Sequence, residues 1–152
     1  MIEELELVLS EVRALHSRLV LLVADSESER SLLLRELAQR RETTILYVGS
    51  ELGTRLVPLP INRRPLAAPS ILRELADSHA GDGLVVLDNI ELLFDRTLKL
   101  NPVGILRQLA RVRSIVAAWP GQVAGEKLIY SEPGHAERQQ CVTDGLVLFN
   151  IL

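Results

Sequence analysis

The sequence predicts an α/β fold: a mostly parallel central sheet between two layers of helices, closed by a C-terminal antiparallel hairpin. Three observations carry that reading. Over roughly residues 1–120, short apolar runs alternate with amphipathic segments, the order in which parallel sheets are assembled. Runs such as Leu19–Val23 (LVLLV) and Leu84–Leu87 (LVVL) are apolar at every position, as strands covered on both faces require. Asp144-Gly145 then sits between Cys141-Val142-Thr143 and Leu146-Val147-Leu148-Phe149, a two-residue hairpin signal.

Taken in order, Ile2, Leu5, Val8, Leu9, Val12 and Leu15 recur at helical spacing, with Glu3, Glu4, Glu6 and Glu11 largely opposite. Leu19–Val23 follows as the first strand. Ser28 is the expected cap of a second helix, whose apolar face is Leu32, Leu33, Leu37 and Ala38 and whose end carries Arg40 and Arg41. Thr43–Val48 (TTILYV) is β-branched and apolar, a second strand closed by Gly49 and Ser50. From Gly53 to Pro69 the chain holds four prolines and three arginines, which predicts a long irregular excursion. Ile71–Ala80 reads as a helix, Leu84–Leu87 as a third strand ending at Asp88, and Pro102–Arg113 as a helix using Val103, Leu106, Leu109 and Val112. Ser114–Trp119 is a fourth strand stopped by Pro120-Gly121, and Lys127–Tyr130 a further strand.

At 152 residues the chain is expected to form one domain, 1–152, large enough to bury about two-thirds of its unfolded surface. A net charge of −3 argues against chain-wide attraction to nucleic acid or anionic lipid and leaves room only for local patches. Lys99 and Lys127 are the only lysines, so the cations are nearly all arginine. Cys141 is the only cysteine and can form no intrachain disulfide. The acidic start Met1-Ile2-Glu3-Glu4 lacks signal-peptide order, and no apolar run approaches the ~20 residues of a membrane span. A cytoplasmic location without membrane contact is expected.

The segment with most chemical content is Ala24-Asp25-Ser26-Glu27-Ser28-Glu29-Arg30-Ser31, between a strand and a helix. That is the context of the phosphate-binding pattern G-x-x-x-x-G-K-[ST], in which glycines let backbone N–H groups wrap phosphate, lysine neutralises it and the hydroxyl holds magnesium. Here Ala24 and Glu29 replace the glycines, Arg30 stands for the lysine, and only Ser31 is retained. Asp25, Glu27 and Glu29 outnumber Arg30, so the loop repels the anion that such a loop attracts. A helix N-terminus contributes about 0.3–1 kcal/mol to an anion, too little to offset three carboxylates.

Such a site also needs a carboxylate at the end of a neighbouring strand, to hold the metal. Asp88 after Leu84–Leu87 supplies it, and Glu91 follows within reach of a water. Asn89 occupies the place of the usual activating glutamate; an amide donates a hydrogen bond but cannot act as a base. Loop and strand together predict a P-loop NTPase-like (ASCE/AAA+-like) domain with a vestigial nucleotide site of Arg30, Ser31 and Asp88. No resident cofactor or metal is expected. If nucleotide does bind, it is ATP–Mg, with Ser31 and Asp88 on the metal and Asp88 and Glu91 as the catalytic pair.

Beyond these, the chain carries Pro58-Leu59-Pro60-Ile61-Asn62 (PLPIN), Ala118-Trp119-Pro120-Gly121 (AWPG) and Leu128-Ile129-Tyr130-Ser131-Glu132-Pro133-Gly134-His135 (LIYSEPGH). With the degenerate loop and Leu84–Asp88, these stretches resemble the BrxF family, small P-loop-containing proteins of type 3 BREX bacteriophage-defence systems. The resemblance spans most of the chain, and its specific part is AWPG followed by LIYSEPGH. It implies an accessory subunit of a multicomponent system that methylates self DNA and excludes phage DNA. It also implies partners among the other BREX components, acting through protein contacts rather than ATP hydrolysis. No helical lid of the AAA+ kind is expected. A homo-oligomer and a weak DNA contact are further expectations.

Several residues remain open between structural and binding roles. Trp119 either covers the sheet or meets a partner, and His135 is a loop residue that could act as a switch or a contact. No second histidine or cysteine pair stands at metal-ligand spacing. Arg55, Arg63 and Arg64 form the best local basic patch, suited to phosphate or to an acidic neighbour, with a solvated loop as the plainer outcome.

Overall fold

In the computed structural model, the described residues are 1–13, 18–81, 83–124, 127–130, 139–142 and 146–151, with backbone alone at 124, 127 and 139–142. Helices α1 (Ile2–Val12), α2 (Glu27–Arg40), α3 (Val48–Leu56), α4 (Arg64–His79) and α5 (Pro102–Leu109) alternate with strands β1 (Leu19–Val23), β2 (Ile45–Tyr47), β3 (Leu84–Asp88) and β4 (Ser114–Ala118). Short 3-10 turns lie at Ile61–Arg63, Ile90–Phe94 and Arg96–Leu98. The chain continues through β5 (Gln122–Ala124), β6 (Lys127–Tyr130), β7 (Gln139–Val142) and β8 (Val147–Asn150).

Five strands form one sheet in the order β2-β3-β4-β1-β8, and every pairing in it is parallel. The all-apolar strands predicted this: all five residues of β1 are buried, as are all five of β3. Their side chains alternate between two cores. Leu19, Leu21, Val23, Val85, Leu87, Ile115 and Ala117 pack with α3, α4 and α5 on one face. Val20, Leu22, Leu84, Val86, Val116 and Ala118 pack with α1 and α2 on the other. The result is three layers, helices–sheet–helices. Among the described residues, no helix is long and apolar enough to cross a membrane.

The irregular excursion predicted between Gly53 and Pro69 is instead helical. Val48, Leu52 and Leu56 are spaced four apart and all buried, so the residues expected to end the second strand begin α3. Pro65 lies in the first turn of α4, where its missing N–H costs nothing; Pro69 gives up one helical bond and is tolerated beside buried Ala68, Ile71 and Leu72. The predicted strand Thr43–Val48 shrinks to Ile45–Tyr47 because Thr43 and Thr44 turn to the end of α4. The Thr43 hydroxyl donates to the His79 carbonyl at 2.8 Å, and the Thr44 hydroxyl meets His79 Nδ1 at 2.8 Å. His79 Nε2 in turn lies 2.8 Å from Glu51 of α3.

Two apolar assignments fail on burial: Leu32 is 59% and Val112 is 70% exposed, since α5 ends at Leu109 and α2 turns Leu32 outward. The C-terminal hairpin is also relocated. β7 pairs antiparallel with β6, and β6 with β5, in a separate three-stranded sheet. β8 joins the main sheet beside β1 and parallel to it. The two runs flanking Asp144-Gly145 therefore serve different sheets, and that dipeptide lies outside the described residues. β8 gains apolar cover on the edge of β1, which a free hairpin would lack.

The second sheet is tied down by aromatic packing. Trp119 is fully buried, meets Phe94 edge-on at 5.3 Å and donates through Nε1 to the Ile129 carbonyl at 3.3 Å. Phe94 also stacks on Tyr130 at 4.0 Å. Gly121 lies so close to β6 that a Cβ would fall 1.8 Å from the Ile129 carbonyl oxygen. Gly121→Ala should therefore destabilise by roughly 2–4 kcal/mol, read as a lower urea midpoint at unchanged slope. Gly53→Ala, where the nearest atom is 3.8 Å from the added Cβ inside α3, should be neutral or stabilising by up to about 1 kcal/mol.

Candidate functional site

Strands β1, β3 and β4 deliver their C-terminal ends to one edge of the sheet, the edge where open α/β sheets bind ligands. The loop leaving β1 is Ala24-Asp25-Ser26 only, because α2 already begins at Glu27. Ser26 caps that helix with extended backbone (φ −114°, ψ 128°), in place of the predicted Ser28. The Ser26 and Ser28 hydroxyls bond each other at 2.8 Å. Nothing in Glu27-Ser28-Glu29-Arg30 resists the helix, so residues that would curl around a phosphate are wound into the first turn. Among the described residues, positive φ occurs at Glu42, Gly83, Asn89 and Lys99 and at none of the loop positions. The loop therefore forms no nest of convergent N–H groups.

Arg30 is turned inward at the start of α2. Its side chain is 7% exposed, and Nη1 donates to the Ala24 carbonyl at 2.9 Å. The cation thus satisfies the loop's own backbone, across the turn it belongs to. One residue on, the Ser31 hydroxyl donates to Asp88 Oδ2 at 3.0 Å. Asp88 Oδ1 accepts from the Asn89 backbone N–H at 2.8 Å, and the carboxylate is 8% exposed. Both carboxylate oxygens are engaged internally.

Asn89 takes the left-handed conformation (φ 53°, ψ 49°) that asparagine tolerates better than most residues. That turn aims its carbonyl at α3, where Gly49 N–H donates to it at 3.0 Å. A Cβ on Gly49 would sit 3.4 Å from the same oxygen. Asn89 and Gly49 thus dock the start of α3 onto the end of β3. The sequence shows both residues but offers no sign that they meet.

The strand carrying Asp88 is not the immediate neighbour of the loop strand: β4 lies between β1 and β3. Ser31 bridges that distance from α2. Beside the joint is a cleft of ≈ 170 Å³ lined by Glu27, Arg30, Asp88, Glu91, Ala118, Pro120 and Tyr130. A neighbouring cleft of ≈ 370 Å³ is lined by Ala24, Asp25, Glu27, Arg30, Pro120, Gly121, Gln122 and Ile129. Asp25, Glu27, Asp88 and Glu91 thus share the lining of these clefts with Arg30, and the walls from Pro120, Ile129 and Tyr130 are what sequence reasoning missed. Among the described residues, no group of three or more His, Cys, Asp or Glu is arranged to hold a metal ion.

The remaining candidates disperse. Arg55 pairs with Glu74 at 2.7 Å. Arg64 does not lie on an irregular loop: it opens α4 and donates to the carbonyls of Leu59 (3.1 Å) and Val57 (3.2 Å). Arg63 is exposed in the preceding turn. The expected patch of three arginines is therefore reduced, because Arg64 holds carbonyls around PLPIN and Arg55 pairs with Glu74 of α4. Trp119 is buried and presents no surface to a partner. His135 lies outside the described residues.

The Ser31–Asp88 joint carries a measurable energy. Ser31→Ala should cost about 1 kcal/mol, and Asp88→Ala about 1–2 kcal/mol because it removes the acceptor of two part-buried hydrogen bonds. A double-mutant cycle on urea unfolding should return a coupling of about 0.5–1.5 kcal/mol. Additive losses would mean that the bond contributes nothing. No family model matches the chain, and no curated protein matches it.

Proposed function

We propose that this chain is a P-loop NTPase-like domain whose nucleotide site has become an internal joint, and that it works as a non-catalytic accessory subunit. The carrying observation is Arg30, the residue in the lysine position, folded back onto the Ala24 carbonyl at 2.9 Å. The three-residue loop and the surrounding carboxylates support the same reading: there is no phosphate cradle, and the local field repels an anion.

Descent from a nucleotide-binding fold is supported by two features together. The order β2-β3-β4-β1-β8 inserts a strand between the loop strand and the carboxylate strand, the arrangement for which the additional-strand (ASCE) class is named. Ser31 and Asp88, which correspond to the metal-holding hydroxyl and carboxylate, are in contact. Either feature alone is compatible with an ordinary strand–helix joint.

The assembly in which the subunit acts is, on this proposal, a BREX-type phage-defence complex, with the other system components as partners. That half rests on the resemblance of AWPG and LIYSEPGH to BrxF. A second reading, a divergent ATPase, is favoured by the Ser31–Asp88 contact, which leaves a hydroxyl and a carboxylate where ATP–Mg would need them. It requires Arg30 to release Ala24. A DNA-contacting role has less support, since Arg55 and Arg64 are both engaged.

Calorimetric titration of ATP–Mg separates the readings. Wild type should show no binding at millimolar nucleotide. Micromolar binding abolished by Asp88→Asn would favour the ATPase and sink the joint. In a host carrying the defence system, deletion of this chain should remove plaque protection, and Ser31→Ala should restore it fully. Failure of a folded Ser31→Ala protein to protect would point to nucleotide chemistry.

A further inference from the structure

The two outer faces of the molecule carry opposite and complementary surfaces. On one, α1 buries Ile2, Leu5, Leu9 and Val12 and turns Glu4, Leu7 and Glu11 outward. Leu7, 62% exposed, stands opposite the buried stripe, on a face that continues through Glu4 and Glu11. Glu3 and Glu6 are held by Arg40 and Arg41 of α2, whereas Glu4 and Glu11 have no ion-pair partner among the described residues. Exposed Arg13, the next residue past the helix, is the nearest cation in sequence on α1's own side.

On the opposite layer, α4 and α5 leave between them a groove of ≈ 240 Å³. Its apolar lining is Pro69, Ile105, Leu109 and Val112, the last 70% exposed. Its cations are Arg73 and Arg111, both exposed and without a carboxylate partner among the described residues. Arg113 also lines it but is buried and tied to Asp77, the nearest carboxylate in the ion pairs of this region. The groove is thus apolar and basic where the α1 ridge is apolar and acidic.

We propose that the α4–α5 groove receives α1 of a second copy of this chain, with Leu7 against Val112 and Ile105 and with Glu4 and Glu11 facing Arg73 and Arg111. The two surfaces belong to opposite layers of the sandwich, so a chain cannot satisfy its own groove. The contact is heterologous, and copies add head to tail into an open chain or a closed ring. One short helix in one groove buries less than a standard interface, which sets the association at the weak, salt-sensitive end. The inference stands whether or not nucleotide binds at Asp88.

Sedimentation velocity over a concentration series tests it. Wild type should associate at low salt and dissociate as salt is raised. Arg73→Glu with Arg111→Glu should weaken association about tenfold or more, from like-charge contact with Glu4 and Glu11. Leu7→Arg and Val112→Glu each change an exposed residue, so folding is retained, and each variant alone should be monomeric. Mixed in equal amounts, they should form a 1:1 pair and nothing larger, because each keeps one intact surface. A wild type that stays monomeric at low salt would overturn the proposal. So would association untouched by either variant, a mixture that stays monomeric, or a mixture that grows beyond two chains.

Discussion

The structure depends on the burial of β1 from both sides. Leu19–Val23 is enclosed by β4 and β8 within the sheet, by α1 and α2 on one face and by the α3–α5 layer on the other. A strand with five buried apolar residues suits a sheet covered on both faces, and here helices cover both. Once β1 is central, the loop after it emerges at the ligand-binding edge, and α2 is aimed so that Ser31 meets Asp88. The candidate site is a consequence of that placement.

At the site, the balance between cradle and joint is decided by backbone freedom. Glycines hold a phosphate loop open because they tolerate left-handed and extended turns at little cost. Ala24 and Glu29 remove that freedom, and the sequence Glu27-Ser28-Glu29-Arg30 winds into helix from its first residue. Arg30 then lies within reach of the carbonyl it bonds. Its long, planar head suits this better than the point charge of a lysine. Asp25, Glu27 and Glu29 at the start of α2 add repulsion against any anion that approaches the helix N-terminus.

The AWPG and PLPIN stretches have physical roles in this fold. Trp119 and Gly121 of AWPG lock the small antiparallel sheet to the main body, the one by burial and the other by close backbone approach. PLPIN turns the chain between α3 and α4, and Arg64 holds that turn by two carbonyls. These roles explain why such residue types are useful at these positions. They leave the exterior, above all the α1 ridge and the α4–α5 groove, as the surface available for contacts.

The sequence by itself determined the layered α/β class, the strands β1, β3 and β4 to within a residue, and the pairing of a loop serine with a strand aspartate as the feature to examine. These are legible because an apolar run or a strand-loop-helix transition is a local pattern. The helix read over Ile71–Ala80 is the C-terminal part of α4, whereas α3 and the first turns of α4 were masked by proline and arginine content, although the Val48, Leu52, Leu56 spacing was there to be read. Only the tertiary structure decided which strands neighbour one another, that β8 leaves its hairpin for β1, that Trp119 is interior, and that Arg30 turns inward. Each of these depends on contacts between residues far apart in the chain. Their energies come from burial and hydrogen bonding across elements, which no local window contains.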